Sequence, residues 1–400
     1  MRQLSTIIIA AAGHAVFASF ALADMPFAVL EAFAPQDGAS SVAAGDLDRD
    51  GQMDLVMTSI EGDEVWIRFA DFATGYQRLA SGYDRACYVV IADINGDSWP
   101  DVVAAKRGTG DDDVRWWENP GSPGVWAEHP VSGTLFDEAR SIATGDLDED
   151  GDVDILVAGV DSGTGYLSWF ENTSGAGTIW ALHDIVAGFA GAHDIAVADI
   201  NGDGLPDVVG AAYDDDTVAW FENDGTIHSP GYWPAHSIAT DLDGAICVNA
   251  ADLDSDGDVD VVAGAYIADR IVWYANDGGS GTSWIPEQIS AIANGVYTVT
   301  PVDLDADGDL DVLAASRDND RITWHERNGA LWQGWIIDST FDGARSAVAA
   351  DFDSDGDLDV IAAAEFADRV GWWENLSIHR SAAFPSTEEL SDTSIWVETV

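Results

Sequence analysis

One acidic phrase limits what this chain can become, because it returns seven times, starting at Asp46, Asp93, Asp146, Asp199, Asp252, Asp303 and Asp351. The spacings are 47, 53, 53, 53, 51 and 48 residues. A unit of that length holds four short strands and is far too long for a helical or leucine-rich solenoid repeat. In each unit a small and β-branched run such as Ser141–Thr144 leads into the phrase, and an apolar run such as Asp154–Gly159 leaves it, as buried strands do. A third segment rich in aromatics recurs as Val114–Asn119, Leu167–Asn172 and Val370–Asn375. A fourth recurs as Trp126–His129, Trp180–His183 and Trp233–His236.

Seven such units predict an all-β fold, a seven-bladed β-propeller of four-stranded antiparallel blades spanning residues 24–375. The last repeat supplies three strands and ends near Asn375, while Pro26–Glu31 aligns with the fourth strand of the others. The two ends are expected to share one sheet, which closes the ring and removes the open edges of a linear array. Residues 376–400, with Pro385, Ser386 and Thr387, read as a flexible tail. The 17 tryptophans fall mostly at two repeated places, where large rings fill the space between neighbouring sheets. His129, His183 and His236 share one repeated strand position and read as structural.

The phrase itself carries metal chemistry. Its first copy places carboxylates at positions one, three, five and nine (Asp46, Asp48, Asp50, Asp54) and glycine at six (Gly51). Calcium takes six to eight hard oxygen ligands, and a tight loop with alternating carboxylates and a glycine turn supplies them. The remaining candidate ligands are Asp93, Asn95, Asp97 and Asp101; Asp146, Asp148, Asp150 and Asp154; Asp199, Asn201, Asp203 and Asp207. They continue with Asp252, Asp254, Asp256 and Asp260; Asp303, Asp305, Asp307 and Asp311; Asp351, Asp353, Asp355 and Asp359. Up to seven structural calcium ions are therefore expected. Asn95 and Asn201 keep an oxygen while lowering the site charge, so affinity is expected to differ among blades. An EF-hand is excluded, because Met57 and Val157 stand where its bidentate glutamate would be.

With this phrase and its lead-in, as in Asp37–Gly45, the chain resembles the FG-GAP and VCBS repeats of integrin α-subunit propellers and many secreted proteins, over about residues 27–375. The resemblance implies that the loop joins the first and second strands of each blade and binds calcium through the matching Asp, Asn and Asp positions. It also implies lectins, adhesion headpieces and domains of polysaccharide lyases as relatives. The literal Phe-Gly and Gly-Ala-Pro triplets are absent; Ala104-Ala105 and Ala211-Ala212 stand at the latter place.

If the acidic loops occupy one end of the strands, residues six before and six after each phrase meet at the other end of the channel. The first set is Ser40, Cys87, Arg140, His193, Ile246, Tyr297 and Arg345; the second is Ile60, Arg107, Val160, Tyr213, Tyr266, Arg317 and Glu365. Four arginines fall there in a chain with only 16 lysines and arginines. Arg107, Arg140, His193, Tyr213, Tyr266, Tyr297, Arg317 and Arg345 are the candidate ligand-binding residues, suited to a carboxylated or sulfated sugar through guanidinium forks and ring faces. The competing expectation is local neutralisation, Arg140 by Asp137 and Arg345 by Asp342.

The net charge of −56 excludes nucleic acid and anionic membrane surfaces as partners. Residues 1–23 carry Arg2, an apolar run to Phe20 and Ala21-Leu22-Ala23, a signal peptide with its cleavage box. Ser5, His14 and Ser19 dilute that run and argue against a retained anchor; no later segment could span a membrane. The chain is thus expected outside the cell, at a cell surface or in a periplasm, as a monomer. Cys87 and Cys247 sit three blades apart, too far for a disulfide, and are expected as free thiols. Asn172-Thr173-Ser174 and Asn375-Leu376-Ser377 are acceptable glycosylation sequons. The expected function is recognition or adhesion toward a glycan or extracellular protein, with no nucleophile motif and no catalytic residues assigned. A polysaccharide lyase using the rim, with His193, Tyr213, Tyr297 and Glu365 as candidates, is the alternative, and a rigid spacer in a larger assembly is the third reading.

Overall fold

The computed structural model describes residues 27–376 apart from 33–36, 71–74, 109–112, 123, 132–136 and 228–231. The expected signal segment and the tail from residue 377 lie outside the described residues. Among those described, seven four-stranded antiparallel sheets form the ring and no helix occurs. Six sheets are meanders in chain order, as in the first blade: Ala39–Gly45, Asp54–Ser59, Glu64–Arg68, Tyr76–Ser81. The seventh pairs Phe27–Ala32 with Arg369–Asn375, so the two ends of the ring share one sheet as expected.

The apolar cores lie between blades. Val103, Ala105 and Trp116 of the second blade pack with Ile142, Val157 and Phe170 of the third, because each second strand is buried on both faces. Trp116, Trp169 and Trp220 stack on His129, His183 and His236 at 4.3 to 4.6 Å between ring centroids. Each of those histidines also meets a glutamate of its own blade, Glu118, Glu171 or Glu222.

Polar clasps fasten the blades at both ends. On the acidic-loop side, the ninth residue of every phrase is a buried aspartate whose two oxygens accept two backbone amides. Asp207 takes Ile200 N at 3.0 Å and Asn223 N at 2.8 Å, tying its loop to the end of its third strand. Asn223 then donates its side-chain amide to Leu147 O of the preceding blade at 2.9 Å. Asn119, Asn172, Asn276 and Asn375 repeat the reach to Leu47, Ile94, Ile200 and Leu304, and the guanidinium of Arg327 does so to Leu253. In the first blade Ala70 holds this place, so it makes the amide bond to Asp54 but has no side chain to cross the seam. At the opposite end, Asp63, Asp216, Asp269, Asp320 and Asp368 adopt left-handed backbone and accept an amide of the next blade, Asp368 from Gly38 at 2.8 Å closing the ring.

Both sequon asparagines are therefore clasp residues. Asn172 and Asn375 are buried with their amide nitrogens donated to backbone carbonyls, so neither is open to glycosylation in the folded chain. Replacing Asn223 by Ala strands the buried Leu147 carbonyl and should cost about 1–3 kcal/mol in denaturant unfolding, against within about 0.5 kcal/mol for Thr226→Ala on the exposed surface.

Candidate functional site

Two constellations stand at opposite ends of the channel. The acidic loops are pre-folded by their own carboxylates. The first-position aspartate accepts the sixth-position amide, as Asp146 does from Gly151 at 3.0 Å, and the fifth accepts the seventh, as Asp150 does from Asp152 at 2.9 Å. Glycine at six takes φ near +95°, as in Gly151, with Ser98 replacing it in the second copy. A second left-handed position, the fourth, recurs in all seven loops and is occupied by Arg49, Glu149, Ser255, Ala306 and Ser354 as well as by Gly96 and Gly202. Side chains other than glycine are strained there by about 1–2 kcal/mol, and the only hint of it in the sequence was the pair Gly96 and Gly202.

The loops fit a hard divalent cation. In five of them three carboxylate oxygens lie within 4.8 Å of one another: Asp46, Asp48 and Asp50; Asp146, Asp148 and Asp154; Asp252, Asp254 and Asp260; Asp303, Asp305 and Asp311; Asp351, Asp353 and Asp355. One oxygen each of Asp93, Asp146, Asp254 and Asp351 is buried without a hydrogen-bond donor, although a buried polar atom normally has a partner. Burial pushes the ninth-position carboxyls up, to about 6 in Asp54, Asp154, Asp207, Asp260 and Asp359 and to about 7 in Asp101 and Asp311, against the amides that lower them. A cation among these oxygens would favour the ionised form. In the asparagine copies, Asn95 and Asn201 accept the amide of Asp97 and Asp203, both at 2.9 Å.

At the other end, a β-bulge falls at one residue of every first strand. The bulged residues are Ser40, Cys87, Arg140, His193, Ile246, Tyr297 and Arg345. An extra residue re-aims its side chain, and these seven, one per blade, converge with Arg107 on a cavity of about 30 Å³ at the channel mouth. That volume admits about one water-sized group. Five of the eight candidate ligand residues, Arg107, Arg140, His193, Tyr297 and Arg345, line it. Tyr213, Tyr266 and Arg317 form a collar beside it: Arg317 bonds Tyr266 Oη at 3.4 Å, and the rings of Tyr213, Tyr266 and Tyr297 follow one another at 6.2 and 6.3 Å. Of the other rim positions, Ile60 is core and Val160 is not part of the mouth.

The mouth is held by a guanidinium network. Arg107 donates to His193 Nε2 at 2.7 Å and to Tyr297 Oη at 3.4 Å, and Arg345 donates to the same oxygen at 3.2 Å while lying over the ring at 4.6 Å. Burial and the three nearby arginines keep the His193 imidazole well below its usual range, so it is neutral and accepts from Arg107. Burial would raise the Tyr297 phenol, but Arg345, Arg107 and Arg317 bring it below its ordinary value. The expected local pairs do not form. Arg140 meets Glu138 at 2.9 Å and Arg345 meets Glu365 at 3.1 Å, because Asp137 is turned to cap the amide of Ser162 and Asp342 stands exposed in its turn. Glu365 also holds Arg317 at 2.9 Å. Among the described residues Arg107 has no carboxylate partner, and its Nε is buried without an acceptor.

Below the mouth the channel opens into a cavity of about 370 Å³. The neck between the two contains Tyr88, Thr298 and Asp194, which sequence reasoning passed over. Asp194 was visible as the one acid at a place otherwise held by Ser41, Tyr88, Ser141, Cys247, Thr298 and Ser346. It spans three blades, accepting Ser141 Oγ at 2.6 Å, Val248 N at 2.9 Å and Ile195 N at 3.0 Å. Both cysteines are buried free thiols.

A seven-bladed propeller with one acidic hairpin loop in each blade defines the class. Residues 93–157, 146–210, 199–263, 252–314 and 303–362 match the FG-GAP-like repeat family, and the chain belongs to that family. No curated protein matches it in sequence. In fold it is similar to a streptogramin B lyase, with a TM-score of 0.59 and 11% identity, covering 87% of this chain and 97% of that one. It is similar likewise to the selenomethionine-substituted virginiamycin B lyase from Staphylococcus aureus, with a TM-score of 0.59, 10% identity and coverage of 87% and 98%. The exotype rhamnogalacturonan lyase YesX gives 0.50, 14%, 88% and 76%. At these identities the likeness is one of fold.

Burial raises the Asp194 carboxyl from 3.8 to about 6. The folded state then binds the extra proton between those values, so this group's contribution to stability falls as pH rises from about 4 to about 6. Asp194→Asn lacks that titration. The stability gap between variant and wild type should therefore move by about 3 kcal/mol in the variant's favour between pH 4 and pH 7, read by denaturant unfolding.

Proposed function

We propose that this chain is a calcium-stabilised recognition propeller that takes an anionic ligand, glycan or extracellular protein, at the guanidinium mouth opposite its acidic loops. The observation that carries the reading is Arg107, a half-buried guanidinium with a buried Nε and no carboxylate partner among the described residues, set beside Arg140 and Arg345 at the channel mouth. Arginine forks bind carboxylate and sulfate through paired charge-assisted hydrogen bonds. Tyr213 and Tyr266 would offer ring faces to whatever projects from the mouth. Calcium would sit in the loops, far from that ligand, as architecture. The amino-terminal segment supports export, and an acidic monomer outside the cell is the setting this reading assumes.

Replacing Arg107 by Ala should abolish retention on immobilised carboxylated or sulfated glycans, with the thermal transition within a few degrees of wild type. Undiminished retention by a folded Arg107→Ala protein would overturn the reading. Chelation tests the calcium half separately. A metal present at about 100 times its Kd stabilises by about 2.7 kcal/mol per site, so saturating chelator should lower the Tm by on the order of 10 °C, and added calcium should restore it.

One observation favours a second reading. A phenol made more acidic by two bonded guanidiniums, as Tyr297 is, suits abstraction of a proton beside a carboxylate, which is the first step of uronate elimination. Release of unsaturated uronate, followed by ultraviolet absorbance, separates this from pure recognition.

A further inference from the structure

Electric charge changes sign over a short distance at this end of the molecule. The centre is guanidinium, yet the turns that surround it are acidic and exposed: Asp137, Asp214, Asp215, Asp243, Asp318 and Asp342. Several are held in place by hydrogen bonds, as Asp137 is by Ser162 N at 2.8 Å, Asp215 by Ala190 N at 2.7 Å and Asp318 by Tyr266 Oη at 2.9 Å. Two tyrosines sense the reversal. Tyr297, inside the mouth, is made more acidic by its arginines despite burial, whereas Tyr213, beside it on the collar, is made less acidic by burial and then by Asp214 and Asp243.

We propose, resting on the recognition reading above, that the mouth selects a ligand with one isolated negative charge, a neutral saccharide ending in a single uronate, and rejects polyanions. The cavity at the axis is ringed by a residue from every blade and holds about 30 Å³, so one carboxylate edge fills it. Arg140 and Arg345 are already paired with Glu138 and Glu365, which leaves Arg107 as the arginine of the mouth without a carboxylate partner among the described residues. Any further carboxylate on the same ligand must lie over the collar or the rim. There it meets the fixed aspartates at a separation within the Debye length of about 10 Å at 0.1 M salt, and is repelled. Neutral sugar rings meet no such penalty and can lie on the faces of Tyr213 and Tyr266. Those half-buried rings also favour a saccharide over a peptide terminus, whose side chain would need an apolar hole that one water-sized cavity does not provide. Like charges on the rim thus act as the repulsive element that specificity requires.

The test is calorimetric titration of the full chain, at constant saturating calcium, with three probes: a neutral trisaccharide ending in one glucuronate, trigalacturonate and hexagalacturonate. At about 20 mM ionic strength the single-acid trisaccharide should bind at least tenfold more tightly than hexagalacturonate, and the gap should close at about 0.5 M salt. The Asp214→Asn, Asp243→Asn double variant, folded by its thermal transition, should gain affinity severalfold for hexagalacturonate and little for the single acid. Affinity that rises with the number of carboxylates overturns the proposal while leaving anion recognition standing. Equal binding of the single acid and its methyl ester overturns it too. Absence of binding to all three probes removes the underlying reading of the mouth.

Discussion

Everything in this ring hangs on the ninth-position aspartate of each acidic phrase. Its two oxygens take one amide from the loop and one from the end of the third strand, as Asp101 does from Ile94 at 3.0 Å and Asn119 at 2.7 Å. In six of the seven blades the residue supplying the second amide then reaches across to the previous blade, as Asn119 does. One buried carboxylate thereby couples the metal loop, the blade's own strands and the seam with its neighbour. Burying such a group is costly unless every lone pair is satisfied, which is why Leu47, Asp54 and Asn119 behave as one unit although they belong to two blades. A cation in the loop would favour the ionised form that the clasp uses, so metal binding and blade docking would reinforce each other.

The same economy shapes the mouth of the channel. The bulge in each first strand sits at the channel mouth and turns one side chain out of the strand's alternation. The bulged side chain differs from blade to blade, although some of these residues, Cys87 and Ile246 among them, also pack in the core between blades. The seven positions carry serine, cysteine, arginine, histidine, isoleucine, tyrosine and arginine, whereas every second strand follows its buried aspartate with a buried apolar run, as in Val102–Ala105, Val208–Ala212 and Val360–Ala364. A repeat protein thus separates what must be identical from what can differ. The loops, clasps and cores recur, and the mouth does not.

Charge follows that division. Carboxylates on the loop side are gathered into clusters that a divalent cation fits, while those on the mouth side are spread around the collar as turn caps. Four of the sixteen lysines and arginines, Arg107, Arg140, Arg317 and Arg345, lie at the mouth and its collar, and Glu365 holds two of them in position.

The period of the acidic phrase was enough to specify blade number, strand order and closure through Phe27–Ala32, because each of those follows from local pattern and from the need to hide sheet edges. The convergence of Arg140, His193, Tyr297 and Arg345 was also legible, since equal offsets from a repeated loop become equal heights in a ring. Other features were not. Asn172 and Asn375 read as sequons and turned out to be interblade clasps, because their acceptors lie 78 and 71 residues away. Arg140 and Arg345 found Glu138 and Glu365 in place of the turn aspartates, because hydrogen bonds to turn amides and the geometry of a bulge decide which acid faces which base. The sequence by itself determined the repeated architecture and the chemistry of its loops, which depend on spacing within one blade. Only the tertiary structure decided the clasps, the arginine without a carboxylate partner among the described residues and the acid in the neck, since each depends on side chains from different blades meeting at distances that no local pattern encodes.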